Sequence, residues 1–166
     1  MRVLIFSILF SLVSGFAAYA QDTAPKIYDP NADAQKEINI AVAKAKKEHK
    51  HVLLQIGGNW CIWCRRFYNM VQSDDTLTRL VNDNYVVVHV NYSPENKNEK
   101  LLAKLEYPQR FGYPVFVVLD ANGKRIHTQN SGYLEEGKGH SKKKVAEFLT
   151  QWSPKALDPA SYKKDS

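Results

Sequence analysis

The two cysteines of the chain lie in one pentapeptide, Trp60-Cys61-Ile62-Trp63-Cys64. It follows an apolar run that predicts a strand, His51 to Ile56, and it opens a segment with helical periodicity. The unpaired main-chain N–H groups and the dipole at a helix start favour an anion, so we expect Cys61 to ionise readily. Cys64 follows three residues later on the same helix face, within reach of a mixed disulfide on Cys61. The spacing therefore indicates a redox dithiol in which Cys61 attacks and Cys64 resolves.

Three other interpretations of the cysteine pair remain open. A zinc site needs about four ligands, but there is no second cysteine pair, and His49 and His51 lie at the end of the strand that is far from the cysteines. Copper(I) carriage would rely on soft ligands, yet the chain has only Met1 and Met70. A structural disulfide across three residues closes too small a loop to restrain the unfolded chain much. We favour the dithiol and expect no metal and no cofactor.

The composition indicates one ordinary globular domain. The chain has 166 residues, 44% hydrophobic and 24% charged, with 8 Gly and 7 Pro, which excludes a disordered, collagenous or repeat-built protein. The net charge of +6 is mildly basic and does not indicate nucleic-acid binding.

The first 20 residues have the pattern of an export signal. Met1 and Arg2 form a positive start, Val3 to Phe16 is almost entirely apolar, and Ala18-Tyr19-Ala20 is a small-x-small cleavage site. The apolar stretch is shorter than the roughly 20 residues that a membrane helix needs. We therefore predict a signal peptide over residues 1–20 and an exported mature chain without a membrane span.

The remaining residues alternate between helical and strand-like patterns, which predicts an α/β sandwich with a mixed sheet. We predict a polar linker over residues 21–30, the domain over 31–153 and a tail over 154–166. The Asn122-Gly123 dipeptide predicts a hairpin between two antiparallel strands. In chain order the predicted elements are a helix (31–50), a strand (51–56), two helices (to about 72, then after 75), a strand (85–90), a short helix (99–106), two strands (115–119 and 125–129) and a helix (141–152).

Four features together resemble the thioredoxin superfamily, over about residues 31 to 152. They are Trp60-Cys61-Ile62-Trp63-Cys64 after a strand, Gly112-Tyr113-Pro114 before the strand Val115 to Leu119, the Asn122-Gly123 hairpin and the final helix. The resemblance implies a three-layer α/β/α sandwich with a central sheet of about four strands. It is strongest to exported thioredoxin-like proteins of bacterial envelopes, which implies a periplasmic location.

The resemblance also implies roles for individual residues. Cys61 matches the family's exposed nucleophile and Cys64 its resolving thiol. Trp60 matches the aromatic residue packed beside the active site. Pro114 matches the cis-proline, and Tyr113 before it matches the residue that lies against the cysteines and pairs its backbone with a bound peptide.

Two positions depart from the family pattern. Gln55 corresponds to the buried Asp that assists proton transfer at the resolving cysteine, and an amide cannot take up that proton. Ile62 and Trp63 between the cysteines match neither the reducing nor the strongly oxidising members. We expect the large ring of Trp63 to belong to a hydrophobic substrate-contact surface.

The histidines outside the cysteine motif have structural interpretations. We expect His89 to be packed within its strand, and His127 and His140 to lie on the surface. None of them is assigned a chemical role.

Two functional hypotheses follow. The first is an exported, monomeric thiol:disulfide oxidoreductase that acts on protein thiols and disulfides, as a reductant more than an oxidant. Its electrons would come from a membrane protein, since the exported compartment is oxidising. The alternative is a non-catalytic binding module that uses the surface around Trp60, Trp63 and Tyr113.

Overall fold

A computed structural model of the chain describes residues 26–163. The predicted signal peptide, residues 1–20, lies outside the described residues, as do residues 21–25 of the predicted linker and residues 164–166 of the predicted tail. Residues 26–29 have no regular secondary structure.

The central sheet has four strands in the order β2-β1-β3-β4. The strands are β1 (His51–Gly57), β2 (Tyr85–Asn91), β3 (Val115–Leu119) and β4 (Arg125–Asn130). The first strand pairs parallel with β2 and antiparallel with β3, and β3 pairs antiparallel with β4. The predicted mixed sheet and the predicted hairpin are both confirmed.

Helices cover both faces of this sheet. They are α1 (Ala34–Glu48), α2 (Ile62–Ser73), α3 (Asp75–Asn84), α4 (Glu99–Lys104) and α5 (Lys142–Gln151). A sixth helix, α6 (Pro154–Leu157), has no buried residue. Buried residues of α1 and α4 pack on one face, and those of α2, α3 and α5 pack on the other. The predicted three-layer α/β/α sandwich is therefore confirmed.

The two central strands of the sheet, β1 and β3, form much of the buried core. Every residue of β1 and β3 is buried. Such strands are covered on both faces, which is why their sequences are continuously apolar rather than alternating. The polar exceptions within β1 are His51 at its start, which is 8% exposed, and Gln55, which has only 3% of its surface exposed.

The sheet places the cysteine motif at the carboxyl end of β1. A turn over residues 58–60 follows the strand, and α2 begins at Ile62. Cys64, Phe67 and Val71 of α2 are buried. The apolar face of α2 thus fixes the start of the helix over the edge of the sheet.

Two features near the C-terminal end were not predicted. A small hairpin pairs β5 (Glu135–Glu136) with β6 (Gly139–His140). Within the predicted tail, α6 is followed by a single 3₁₀ turn, Pro159–Tyr162. The side chains of this segment are mostly exposed.

Candidate active site

The cysteine pair lies at the start of α2. Cys61 and Cys64 form a disulfide, with their Cα atoms 5.3 Å apart. Cys61 is the N-cap residue, and its Sγ accepts the main-chain N–H of Cys64 at 3.1 Å. The first turn of α2 contains no acidic residue. A thiolate at Cys61 would therefore lie at the positive end of the helix dipole with an N–H group already directed at it.

Cys61 is less accessible than the resemblance implies. Its exposed fraction is 4% and that of Cys64 is 0%. The expectation of an exposed nucleophile is thus wrong for the disulfide form, because the Cys61 sulfur is bonded to a fully buried partner. Ile27, Trp63 and Tyr113 also pack against the pair.

Three aromatic residues, Trp60, Tyr92 and Tyr113, form what we call the aromatic rim beside the disulfide. Trp60 is 57% exposed, and its indole N–H donates to the carbonyl of Tyr92 at 2.7 Å. The Tyr113 ring meets Trp60 edge-on at 5.4 Å between centroids and stacks on Tyr92 at 5.0 Å. Burial and the neighbouring Tyr92 hydroxyl raise the pKa of Tyr113, so it is neutral at physiological pH. The peptide bond between Tyr113 and Pro114 is cis.

An apolar cleft of about 410 Å³ opens next to Trp60. Tyr92, Ser93, Pro94 and Lys97 form its other walls. The aromatic rim and this cleft together offer a surface for an apolar side chain beside the disulfide.

Trp63 is half-buried rather than freely exposed. Its ring meets His140 of β6 edge-on at 5.7 Å, and the Arg66 guanidinium lies 5.2 Å from the ring centre. Both ring nitrogens of His140 are buried without a hydrogen-bond partner. Burial, with a smaller contribution from Arg66, lowers the pKa of His140 to about 4.

His127 and His140, expected at the surface, are both half-buried. His140 packs against α2 through the unpredicted hairpin. His127 stacks on Trp152 with 4.0 Å between ring centres. His89 is packed as expected, edge-on to Tyr28 and Tyr68.

The sequence also failed to indicate a contact between the N-terminal segment and the cysteines. Tyr28 is 1% exposed and packs against Cys61 and Cys64. The Oδ1 atom of Asn59 accepts the main-chain N–H groups of Ile27 and Tyr28, at 3.0 and 3.1 Å, and its Nδ2 donates to the carbonyl of Tyr28 at 2.7 Å. The prediction of a linker over residues 21–30 is thus wrong at Tyr28. A lone tyrosine between two prolines gives no local signal for this burial.

A family model described as thioredoxin-like matches residues 33–121, more than half of the chain. The chain belongs to the thioredoxin-like family. The match covers the sheet through β3 and the helix that carries the cysteines.

Relatives of this thioredoxin-like chain have names that describe disulfide chemistry. Thiol:disulfide interchange protein DsbD of Salmonella typhi is 31% identical over 87 residues, which cover 52% of this chain and 14% of that protein. Disulfide bond reductase DsbH of Chlamydia pneumoniae is 27% identical over 95 residues, covering 52% of this chain and 55% of that protein. The chain thus spans about half or less of the length of these relatives.

A solved structure with a similar fold is the disulphide isomerase from Xylella fastidiosa Temecula1. It superposes with a TM-score of 0.68 at 28% identity, over 76% of this chain and 96% of that one. A cysteine pair in a thioredoxin fold, with these relatives, supports thiol:disulfide oxidoreductase chemistry.

Within residues 26–163, no helix has the length and apolarity needed to cross a bilayer. The same range contains no buried Asp or Glu. Gln55, which the resemblance matches to the family's buried acid, donates from its Nε2 to the Tyr28 hydroxyl at 2.9 Å.

Proposed function

We propose that this thioredoxin-like protein is an exported thiol:disulfide oxidoreductase that reduces disulfides in other proteins. One observation carries the proposal: Cys61, the N-cap residue of α2, is bonded to Cys64 one helical turn later. This arrangement stabilises a thiolate on the first cysteine and keeps the second within bonding distance.

The reaction proceeds in two exchanges. In the reduced protein the Cys61 thiolate attacks one sulfur of a substrate disulfide, so that a Cys61–substrate bond forms and the other substrate sulfur leaves as a thiolate. Cys64 then loses its proton to water and attacks the Cys61 sulfur. The Cys61–Cys64 bond forms, the second substrate sulfur leaves, and both substrate thiolates take protons from water. Two electrons have moved from the protein to the substrate.

The aromatic rim supports the choice of a protein as substrate. Trp60 is exposed but held by its hydrogen bond to Tyr92. A rigid aromatic side chain loses little conformational freedom when a partner covers it. We infer that Trp60 and Tyr113 contact the substrate, that the segment at Pro114 pairs with its backbone, and that the exposed part of Trp63 extends the same surface.

Two considerations support a reductant in an exported location. One relative is named a disulfide bond reductase, and residues 1–20 have the pattern of an export signal. A reductant in an oxidising compartment must be reduced again by a donor. We infer that the donor is a membrane protein. We also infer that the present chain works as a monomer.

The proposal is tested by trapping and by the redox potential. Cys64→Ser should accumulate covalent mixed disulfides in cells, while Cys61→Ser and the double variant should not. The purified protein should reduce insulin, and Cys61→Ser should abolish this activity. A potential near the roughly −120 mV of a strong oxidant would contradict the reductant role.

One observation favours a second candidate, a non-catalytic binding module. No Asp or Glu is buried among residues 26–163, so the usual proton acceptor for the resolving cysteine is missing from that range. The module would hold its partner through Trp60, Trp63 and Tyr113. If Cys64→Ser forms no adducts and binding to a partner survives loss of both cysteines, the module is correct and the enzyme is not.

A further inference from the structure

The Tyr28 hydroxyl lies beside the resolving cysteine. A Cβ atom placed on Gly57 would be 2.5 Å from the Cys64 Sγ and 2.9 Å from the Tyr28 hydroxyl oxygen, so both atoms border the same small space. Tyr28 also belongs to the buried cluster of Cys61 and Cys64. The absence of a side chain at Gly57 leaves room for the sulfur and the hydroxyl together.

The orientation of the Gln55 amide determines whether the Tyr28 hydroxyl accepts or donates a hydrogen bond. The Gln55 Nε2 donates to the Tyr28 oxygen at 2.9 Å and lies 3.5 Å from the Cys64 carbonyl oxygen. Turning the amide over would direct its oxygen at that carbonyl, which is unfavourable. Tyr28 therefore accepts from Gln55, and its own proton has no acceptor among residues 26–163 while the disulfide is intact.

A thiolate at Cys64 requires stabilisation, because the residue is fully buried. A disulfide sulfur is a poor hydrogen-bond acceptor, whereas a buried thiolate is a strong one. On the basis of the function proposed above, we propose that Tyr28 donates a hydrogen bond to the Cys64 thiolate during release of the substrate. Gln55 and Asn59 are the positioning residues that hold Tyr28 for this role.

The hydrogen bond from Tyr28 to the Cys64 thiolate acts at the second exchange, in which Cys64 releases the substrate. The Cys64 thiol gives its proton to water, and the resulting thiolate attacks the Cys61 sulfur of the mixed disulfide. The Cys61–Cys64 bond forms as the substrate sulfur leaves. Tyr28 keeps its proton throughout, and a donor whose acceptor is present only in the ionised state stabilises that state selectively.

The groups around Tyr28 are neutral or directed elsewhere. Burial raises the pKa of Tyr28, so the hydroxyl stays protonated. Burial lowers the pKa of His89, edge-on to Tyr28, to about 4, so it is uncharged at pH 7. The nearby Asp29 carboxylate accepts the Asn31 N–H at 2.8 Å and is exposed. Neither of these neighbours therefore offers a buried charge to a Cys64 thiolate, whereas the Tyr28 hydroxyl offers a proton that has no other acceptor among residues 26–163.

The test measures the pKa of Cys64 in Cys61→Ser protein, from the pH dependence of alkylation. Tyr28→Phe should raise that pKa by about one unit, which corresponds to one hydrogen bond. In protein with both cysteines, release of a mixed disulfide should slow about threefold near neutral pH, because the smaller thiolate fraction is partly offset by a more nucleophilic sulfur. At a pH above the Cys64 pKa of both the wild type and the variant, Tyr28→Phe should release the mixed disulfide faster than the wild type.

The matched control is Tyr85→Phe, which removes another buried hydroxyl. Tyr85 donates to the carbonyl of Leu149 at 2.7 Å and lies at the opposite end of the sheet from the cysteines. This variant should lose stability without changing the Cys64 pKa or the shape of the pH–rate curve. A purely structural role for Tyr28 would make the two variants behave alike.

A second variant keeps the shape of the side chain in case Tyr28→Phe folds poorly. Replacing Tyr28 by 3-fluorotyrosine makes the hydroxyl a stronger donor and should lower the Cys64 pKa. The proposal is overturned if neither variant shifts this pKa, even where insulin reduction is normal. If instead the pKa shifts but no mixed disulfide forms in cells, the hydrogen bond stands and the proposed function fails.

Discussion

The indole N–H of Trp60 donates a 2.7 Å hydrogen bond to the main-chain carbonyl of Tyr92. This bond joins the residue before Cys61 to the residue after β2, across 32 positions of sequence. It holds an exposed aromatic ring in one orientation beside the disulfide. The aromatic rim and the cysteine sulfurs are thus positioned by the same turn.

Trp60→Ala should weaken the reaction with protein disulfides about tenfold in kcat/KM, since an exposed aromatic anchor is lost. The reaction with a small disulfide should change little, because such a molecule does not cover the aromatic rim. Steady-state kinetics on insulin and on a small aromatic disulfide measure both. Tyr162→Ala, which removes an exposed aromatic residue from the 3₁₀ turn at the C-terminal end, is the control. Equal losses on both substrates would show that Trp60 acts on the cysteines and not on docking.

Phe116 of β3 connects the sheet to two helices. It is fully buried, with ring centres 4.4 Å from Phe67 of α2 and 5.9 Å from Phe148 of α5. Phe116→Ala should lower the free energy of unfolding by about 3 to 5 kcal/mol, through lost burial and the cavity left behind. Urea unfolding measures this. Phe111→Ala, at a position 37% exposed, should cost much less, and similar losses in the two variants would contradict this view of the core.

The parts of the fold that local patterns specify were predictable from the sequence. The apolar run of β1, the periodicity of α2 and the Asn122-Gly123 turn each determine structure over a few residues, and all three lie where the patterns predicted them. The cysteine pair was found for the same reason. Its chemistry depends on a strand-to-helix junction that is encoded within about fifteen residues.

The parts that depend on distant contacts were not predictable. Tyr28 meets Gln55 across 27 positions, and no pattern around either residue indicates the pairing. The β5–β6 hairpin has strands of two residues each, too short to show alternation, so the position of His140 against Trp63 was missed. In both cases a polar group is buried by a contact that only the folded chain creates.

His89 should make the protein less stable in mild acid. Burial lowers its pKa from 6.5 to about 4, so the unfolded chain binds this proton more readily between those values. The free energy of unfolding should therefore fall as the pH drops from 6.5 to 4. For His89 the loss at pH 4.5 should be about 2 to 3 kcal/mol, since that pH lies two units below 6.5 and each unit corresponds to about 1.4 kcal/mol.

The measurement compares urea unfolding of the wild type and of His89→Gln at pH 7.0 and 4.5. His140, whose pKa is also lowered to about 4, adds a smaller dependence of the same sign, because it is more exposed to solvent than His89, and His140→Gln should remove it. Each single variant should reduce the difference in the free energy of unfolding between pH 7.0 and 4.5, and the double variant should reduce it further. If the free energy of unfolding of His89→Gln depends on pH as strongly as that of the wild type, the folded structure does not lower the pKa of His89.

Asp74 should stabilise the protein mainly as a helix cap. It is the N-cap residue of α3, where one carboxylate oxygen accepts the N–H groups of Thr76 and Leu77, both at 3.0 Å. The other oxygen lies 2.8 Å from the Nζ of Lys142 in α5, a side chain that is 67% exposed. Exposed ion pairs contribute little, whereas a side-chain cap satisfies helix N–H groups that otherwise lack partners.

The hydrogen bond from Lys142 and those from the Leu77 and Thr76 N–H groups lower the pKa of Asp74. The stabilisation is thus present above the carboxyl's ordinary pKa and is lost as the pH falls through the lowered one. At pH 7 the thermal midpoint should fall in the order wild type, Asp74→Asn, Asp74→Ala, because Asn keeps a cap acceptor and Ala does not. Lys142→Met should have a smaller effect than Asp74→Ala. The control is Asp83→Asn, which changes an exposed carboxylate later in α3. A larger effect for Lys142→Met than for Asp74→Ala would show that the ion pair, and not the cap, provides most of the stabilisation.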